Sequence, residues 1–395
     1  MNRGVVLLQS ITITNKVTSY EQLQELFRQA QVQNQPVALY RKPRPGELKV
    51  DFSTWNSIDV FDIDNLMVIV PPGILLKDLN AIAAEQGLRF IPGDTPYFGS
   101  LSVGEWAYRG CPNPSSWKYG AGKHFLLGAT YVFPNGDLAT VGGKCIKNVT
   151  GYDFTRFLTG PYADLAVGVQ YIIKLMPQSA FRYRYDIAFP ALDNATQFVS
   201  ELQSRSVAPA WLFWADETAA AKLFGLQREG QRVLLELDGN ETEVLAFKAA
   251  VDALSASCQG KVAAEVVTVP ELSFRETAAD GFWLLDEFKI PYQAVPAFSS
   301  LFASELTKRG AQGGLCGQLA EGKIHVYVQQ NLADRDDFFA ALQTEAKALG
   351  GTSSGKYARL YQGGSTDPLA TIEKSFKEKL DPGLIFNRRE VAVNE

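Results

Sequence analysis

Two histidines, His124 and His325, are the only imidazoles in 395 residues. A metal centre built on several imidazoles is therefore excluded, and with it any histidine-rich acid–base constellation. Cys111, Cys145, Cys258 and Cys316 are widely spaced and form no Cys-x-x-Cys pair. That argues against an iron–sulfur cluster or a structural zinc, and against a secreted disulfide scaffold. His325 sits mid-strand in Ile324-His325-Val326-Tyr327 and reads as structural. Arg182, Arg184 and Tyr185 could hold a carboxylate, although such a pattern is more commonly a solvated strand face. No catalytic residue follows from residue type and spacing.

Charge and hydropathy narrow the partners. With 38 basic and 43 acidic residues the net charge is -5, which supplies no field for nucleic acid or an anionic bilayer. The longest apolar run, Leu66 to Leu76, is broken by Pro71, Pro72 and Gly73, short of the ~20 residues a membrane span needs. No small-residue cleavage site follows the short apolar run near Arg3, so no signal peptide is expected and the cytoplasm is the expected compartment.

The elements that must position any site divide the chain in two. Before Pro177, strands and helices are mixed. Tyr20 to Gln31 and Leu75 to Gln86 carry apolar residues at helical spacing, and Gly87 stops the second. Short strands are expected at Val37–Tyr40, Leu48–Phe52, Val60–Ile63, Leu66–Val70, Phe125–Phe133 and Leu165–Leu175. After Pro177 a strand–helix–strand–strand–helix order occurs twice. Two ferredoxin-like halves sharing one antiparallel sheet are expected there. The expected boundaries are 1–178, 179–349 and a tail of 350–395.

One stretch carries a family resemblance. Gly142-Gly143-Lys144-Cys145-Ile146-Lys147-Asn148-Val149-Thr150-Gly151-Tyr152-Asp153 resembles the GG-x-x-x-KN-x-x-GYD segment of FAD-linked 2-hydroxy-acid oxidases. Other landmarks follow in order: Asp78-Leu79-Asn80, Trp117-Lys118-Tyr119-Gly120, Leu158-Thr159-Gly160, and the closing Leu380-Asp381-Pro382-Gly383-Leu384-Ile385-Phe386-Asn387. Together they cover much of residues 65–178 and the tail. The chain thus resembles the p-cresol methylhydroxylase/vanillyl-alcohol oxidase type, and is most similar to the E-type subunit of glycolate oxidase.

The resemblance implies an α+β protein, with a two-lobed FAD-binding domain followed by a duplicated ferredoxin-like cap. FAD would lie between the lobes. Its pyrophosphate would meet Tyr40 to Glu47 (Arg41, Lys42, Arg44, Gly46) and the loop holding Gly99 and Gly104. Lys147, Asn148, Gly151, Tyr152, Asp153, Ala166 and Val167 would line the cofactor, and Asn387 would close the flavin end. No covalent flavin link is implied, with Cys111 the nearest thiol. Implied partners are a catalytic FAD subunit and an iron–sulfur subunit.

This sequence departs from the pattern at both phosphate loops. Pro43 and Pro45 donate no N–H, only Gly46 readily takes positive φ, and Glu105 would set an anion beside a diphosphate. Arg41, Lys42 and Arg44 either replace the missing amides with charge-assisted bonds, or form a solvated turn over a decayed site. Three roles stay open: an accessory subunit of a glycolate or lactate oxidoreductase, an autonomous FAD enzyme, and a flavin-free structural subunit.

Overall fold

The computed structural model describes residues 14–41, 43–96, 98–144, 152–226, 229–263, 281–353 and 368–387. At the N-terminal end, the strand Leu48–Asp51 runs parallel between Thr14–Lys16 and Val37–Ala38. The helix Tyr20–Val32 starts where the Ser19 side chain accepts from the Gln22 N–H, and it buries Leu23, Phe27 and Ala30. Those three residues meet Val132, Val167 and Val169 from the neighbouring lobe and Ile385 and Phe386 from the tail in one apolar cluster. The tail is therefore part of this core. Asp381 fixes it by accepting the Ile385 and Phe386 N–H groups, while the Ile385 carbonyl accepts the Val37 N–H.

The second lobe is a five-stranded antiparallel sheet in the order Val60–Asp62, Met67–Val70, Val167–Lys174, Leu126–Val132, Leu138–Gly142. The helix Leu76–Glu85 buries Leu76, Leu79 and Ala83 of the face its periodicity marks, while Ile82, expected on that face, is exposed.

Past Pro177 an eight-stranded antiparallel sheet follows, ordered Lys261–Val262, Phe181–Phe189, Gln231–Gly239, Trp211–Ala215, Gly313–Gln318, Lys323–Gln329, Phe282–Lys289, Thr352–Ser353. Each half contributes four strands in mirrored order, and the halves join where Trp214 faces Gly317 and Ala215 faces Cys316. The expected duplicated antiparallel sheet is what the chain builds. One side packs under the helices Leu192–Ser204, Glu241–Ser257, Val295–Lys308 and Arg335–Ala348. The other side gathers Trp211, Phe213, Leu234, Phe282, Leu284 and Tyr327, with Phe98 and Tyr119 of the first domain against them.

Two helices depart from the sequence reading. Glu217–Phe224 lies between two cap strands, capped by Asp216 and stopped by Gly225 at φ +65°. Val103–Tyr108 forms where a phosphate loop was expected. Ser102-Val103-Gly104-Glu105 is a capping sequence, and the Ser102 hydroxyl accepts the Glu105 N–H.

Candidate functional site

The first expected phosphate loop is closed on itself. Glu47 Oε2 and Oε1 accept from the two terminal nitrogens of Arg41 at 2.6 and 2.7 Å, and Oε2 also accepts the Arg44 N–H at 2.7 Å. This is the two-pronged grip by which guanidinium holds a carboxylate or phosphate. Burial pushes the Glu47 carboxyl up, but the bonds from Arg41 and Arg44 outweigh it and hold the group below its ordinary range. Gly46 sits at φ +84° with open space around it. Lys42 lies outside the described residues.

Tyr40, also at positive φ (+55°), turns its ring inward against Phe52 and Tyr108. Its hydroxyl rests on Gly104, so that a Cβ at 104 would collide with it. The second loop has committed amides at its helical end. The Val103, Gly104 and Glu105 N–H groups go to the Ile74 carbonyl, the Pro72 carbonyl and the Ser102 hydroxyl. Glu105 itself pairs with Arg109 at 2.7 Å, which answers the like-charge conflict expected from sequence. Gly99 uses its carbonyl to accept the Lys77 N–H. Of the two loops, the first therefore presents the donor set suited to an oxyanion pair, and the Glu47 carboxylate stands in it.

The remaining expected residues scatter by role. Ala166 and Val167 are buried in apolar clusters on either side of the strand they begin. Asn387 is buried too. Its Oδ1 accepts the Leu39 N–H at 2.8 Å and its amide donates to Tyr108 and Asp164, so it ties the tail to both lobes beside Tyr40. Tyr152 is 90% exposed, and Asp153 caps the short helix Phe154–Phe157. Lys147, Asn148 and Gly151 lie outside the described residues. Cys111 is buried, and burial drives its thiol up to about 12.

Sequence reasoning missed the charged cluster between the first domain and the cap. Asp238, fully buried, accepts from Arg89 (2.7 Å), Tyr119 (2.7 Å), Ser179 (3.0 Å) and Lys118 (2.9 Å). Burial acts to raise its carboxyl, yet these donors hold it below the ordinary range. Burial is also the first cause lifting the Tyr119 phenol to about 12, with Asp238 adding to it. Arg182 binds Asp94, and Arg184 binds Glu236 at 2.6 Å. Tyr185 alternates to the opposite sheet face, where its hydroxyl donates to Asp252. Strand alternation thus sets Tyr185 apart from Arg182 and Arg184, whose guanidinium groups are engaged by acidic side chains. His325 is buried with Nδ1 3.9 Å from Glu287. Among the described residues no group of three histidine, cysteine or acidic side chains could hold a metal, and no helix is long and apolar enough to cross a membrane.

Comparison with known proteins places this architecture. An "FAD binding domain" family matches residues 13–142, and the family "FAD linked oxidases, C-terminal domain" matches residues 182–391. An uncharacterised FAD-linked oxidoreductase of Mycobacterium tuberculosis is 26% identical over 383 residues, covering 88% of this chain and 81% of its own. The glycolate oxidase subunit GlcD of Bacillus subtilis is 24% identical, covering 80% and 72%. The subunit GlcE of Escherichia coli is 25% identical over 191 residues, 48% of this chain and 53% of its own. Among solved structures, p-cresol methylhydroxylase superposes with a TM-score of 0.67 at 16% identity over 94% of this chain and 87% of its own, a likeness of fold. With more than half of its length inside the second match, the chain belongs to the FAD-linked oxidases, and the cofactor of that family is FAD.

Proposed function

We propose that this chain is an FAD-binding-fold subunit of a heteromeric 2-hydroxy-acid oxidase or dehydrogenase acting on glycolate or lactate, in an accessory role. It would comprise an FAD domain (1–178), a cap (179–349) and a returning tail (350–395). FAD would sit with its diphosphate toward Arg41, Lys42, Arg44, Gly46, Gly99 and Gly104. Lys147, Asn148, Gly151, Tyr152, Asp153, Ala166, Val167 and Asn387 would lie along the rest of the cofactor. The partners would be a catalytic FAD subunit and an iron–sulfur subunit, in the cytoplasm. Similarity to the D and E subunits of glycolate oxidase supports this setting.

The observation carrying the accessory role is the engagement of the cap's candidate ligands. Arg182 and Arg184 are tied to Asp94 and Glu236, and Tyr185 points beneath a helix. Oxidation of a 2-hydroxy acid needs a cation for the carboxylate and a base within hydrogen-bond reach of the hydroxyl. Bound FAD would supply the hydride acceptor. The chain's own residues would shape and close the cofactor cleft. Glycolate- and lactate-dependent dye reduction tests the role. Turnover is expected from the reconstituted assembly and not from this chain by itself. A comparable rate from the isolated chain would overturn the accessory role and favour an autonomous enzyme.

A further inference from the structure

The first loop holds an anion that belongs to the protein. Glu47 takes both prongs of Arg41 and the Arg44 N–H, and it is 7% exposed. Pro43 and Pro45 offer no N–H, and Glu47 engages the Arg41 guanidinium and the Arg44 amide of the turn. The grip is local, its two ends six residues apart. Gly46, next to Glu47, stands at positive φ with nothing within 4 Å of where a Cβ would be, so no side chain at 46 packs the turn in place. A carboxylate and a diphosphate present the same pair of oxygens to a guanidinium fork.

We propose that Glu47 is an internal surrogate for the diphosphate of FAD, which holds the loop closed in the flavin-free chain and must leave Arg41 and the Arg44 amide for the cofactor to bind. The loop's weakened donor set is then a competed site, not an empty one. Flavin affinity becomes a balance between two anions for one cation. After Glu47 swings out its charge still lies near the diphosphate, so its repulsion adds to the competition. Removing the charge relieves both effects. This inference rests on FAD being the ligand of this cleft.

The test uses the full chain, as wild type, Glu47→Gln and Glu47→Asp, titrated with FAD and separately with riboflavin, which carries no phosphate. Glu47→Gln is expected to bind FAD about tenfold tighter or better, a difference of about 1.4 kcal/mol, with riboflavin binding unchanged. Glu47→Asp, which keeps the charge but withdraws it by one methylene, should fall between. Inorganic pyrophosphate should raise the melting temperature of Glu47→Gln more than that of wild type. Equal or weaker FAD binding by a cooperatively folded Glu47→Gln, or an equal gain for riboflavin, overturns the proposal. If Glu47→Gln melts without cooperativity, Glu47→Asp decides: FAD affinity no better than wild type sinks the surrogate role. Failure of every chain to bind FAD removes the FAD reading, while the pyrophosphate melts still decide whether Glu47 competes for an anion site.

Discussion

Two charged regions of this molecule use the same chemistry at opposite distances along the chain. In the first loop, Arg41 and Glu47 are six residues apart. Between the lobe and the cap, Arg89 and Asp238 are 149 apart. Both pairs are short and substantially buried. A pair closed within one turn can open by moving that turn alone, and opening it need not disturb the packing around it. A pair that joins two distant segments opens only if those segments separate. The second kind fastens the fold; the first can change state within it.

Breaking the distant pair should have the larger consequence. Asp238→Ala leaves Arg89 with Asp94 and Lys118 with Glu243 as remaining partners, so the loss is expected at the low end for a broken buried pair, about 3 kcal/mol. Urea denaturation should show a loss of that order, with FAD-domain and cap probes no longer coinciding. A loss below about 1 kcal/mol, with the transitions still coincident, would show that the cluster does not fasten the domains.

Asp216 supplies a half-buried carboxylate of another kind, which accepts the Ala219 and Leu315 N–H groups. Burial, its largest influence, raises it from 3.8 to about 6. The folded state therefore binds the proton more tightly than the unfolded chain does. This group's contribution to stability is full below pH 3.8 and is lost as pH rises through about 6. Asp216→Asn should flatten that part of the stability–pH profile; an unchanged slope would reject the assignment.

The local pair should be the least costly to open. Arg41→Ala leaves Glu47 its bond from the Arg44 N–H, and Arg41 is the more exposed member of the pair. The expected loss is about 1 kcal/mol, between exposed and fully buried pairs. A loss as large as that of Asp238→Ala would erase the distinction between the two regions.

Much of the fold was legible because its signals are local or repeated. The duplicated strand–helix order announced the mirrored cap sheet, and apolar spacing located Tyr20–Val32 and Leu76–Glu85. The tail phrase was visible as well, though not its reason: Asp381 and Asn387 satisfy backbone groups of the turn and of Leu39. At Val103–Tyr108 the family resemblance implies a loop, whereas Ser102 and Glu105 form a capping sequence that starts a helix. Glu217–Phe224 was likewise marked by Asp216 and Gly225.

The candidate site was less legible, because what decides it is tertiary. No sequence signal puts Tyr40 at positive φ against Gly104, and no spacing rule pairs Arg89 with Asp238. The Arg41–Glu47 grip was within reach of sequence reasoning, since cation and anion bracket one proline-rich turn. Lys42, Lys147, Asn148 and Gly151 remain expectations, because they lie outside the described residues.

The flavin count of the assembly tests the account most directly. The partner subunits should be prepared with and without this chain, unfolded, and the released FAD measured by visible absorbance. The account predicts that adding this chain brings one further FAD, set free on unfolding because no covalent link holds it. A count unchanged by this chain, or flavin that stays attached to it after unfolding, would contradict the account.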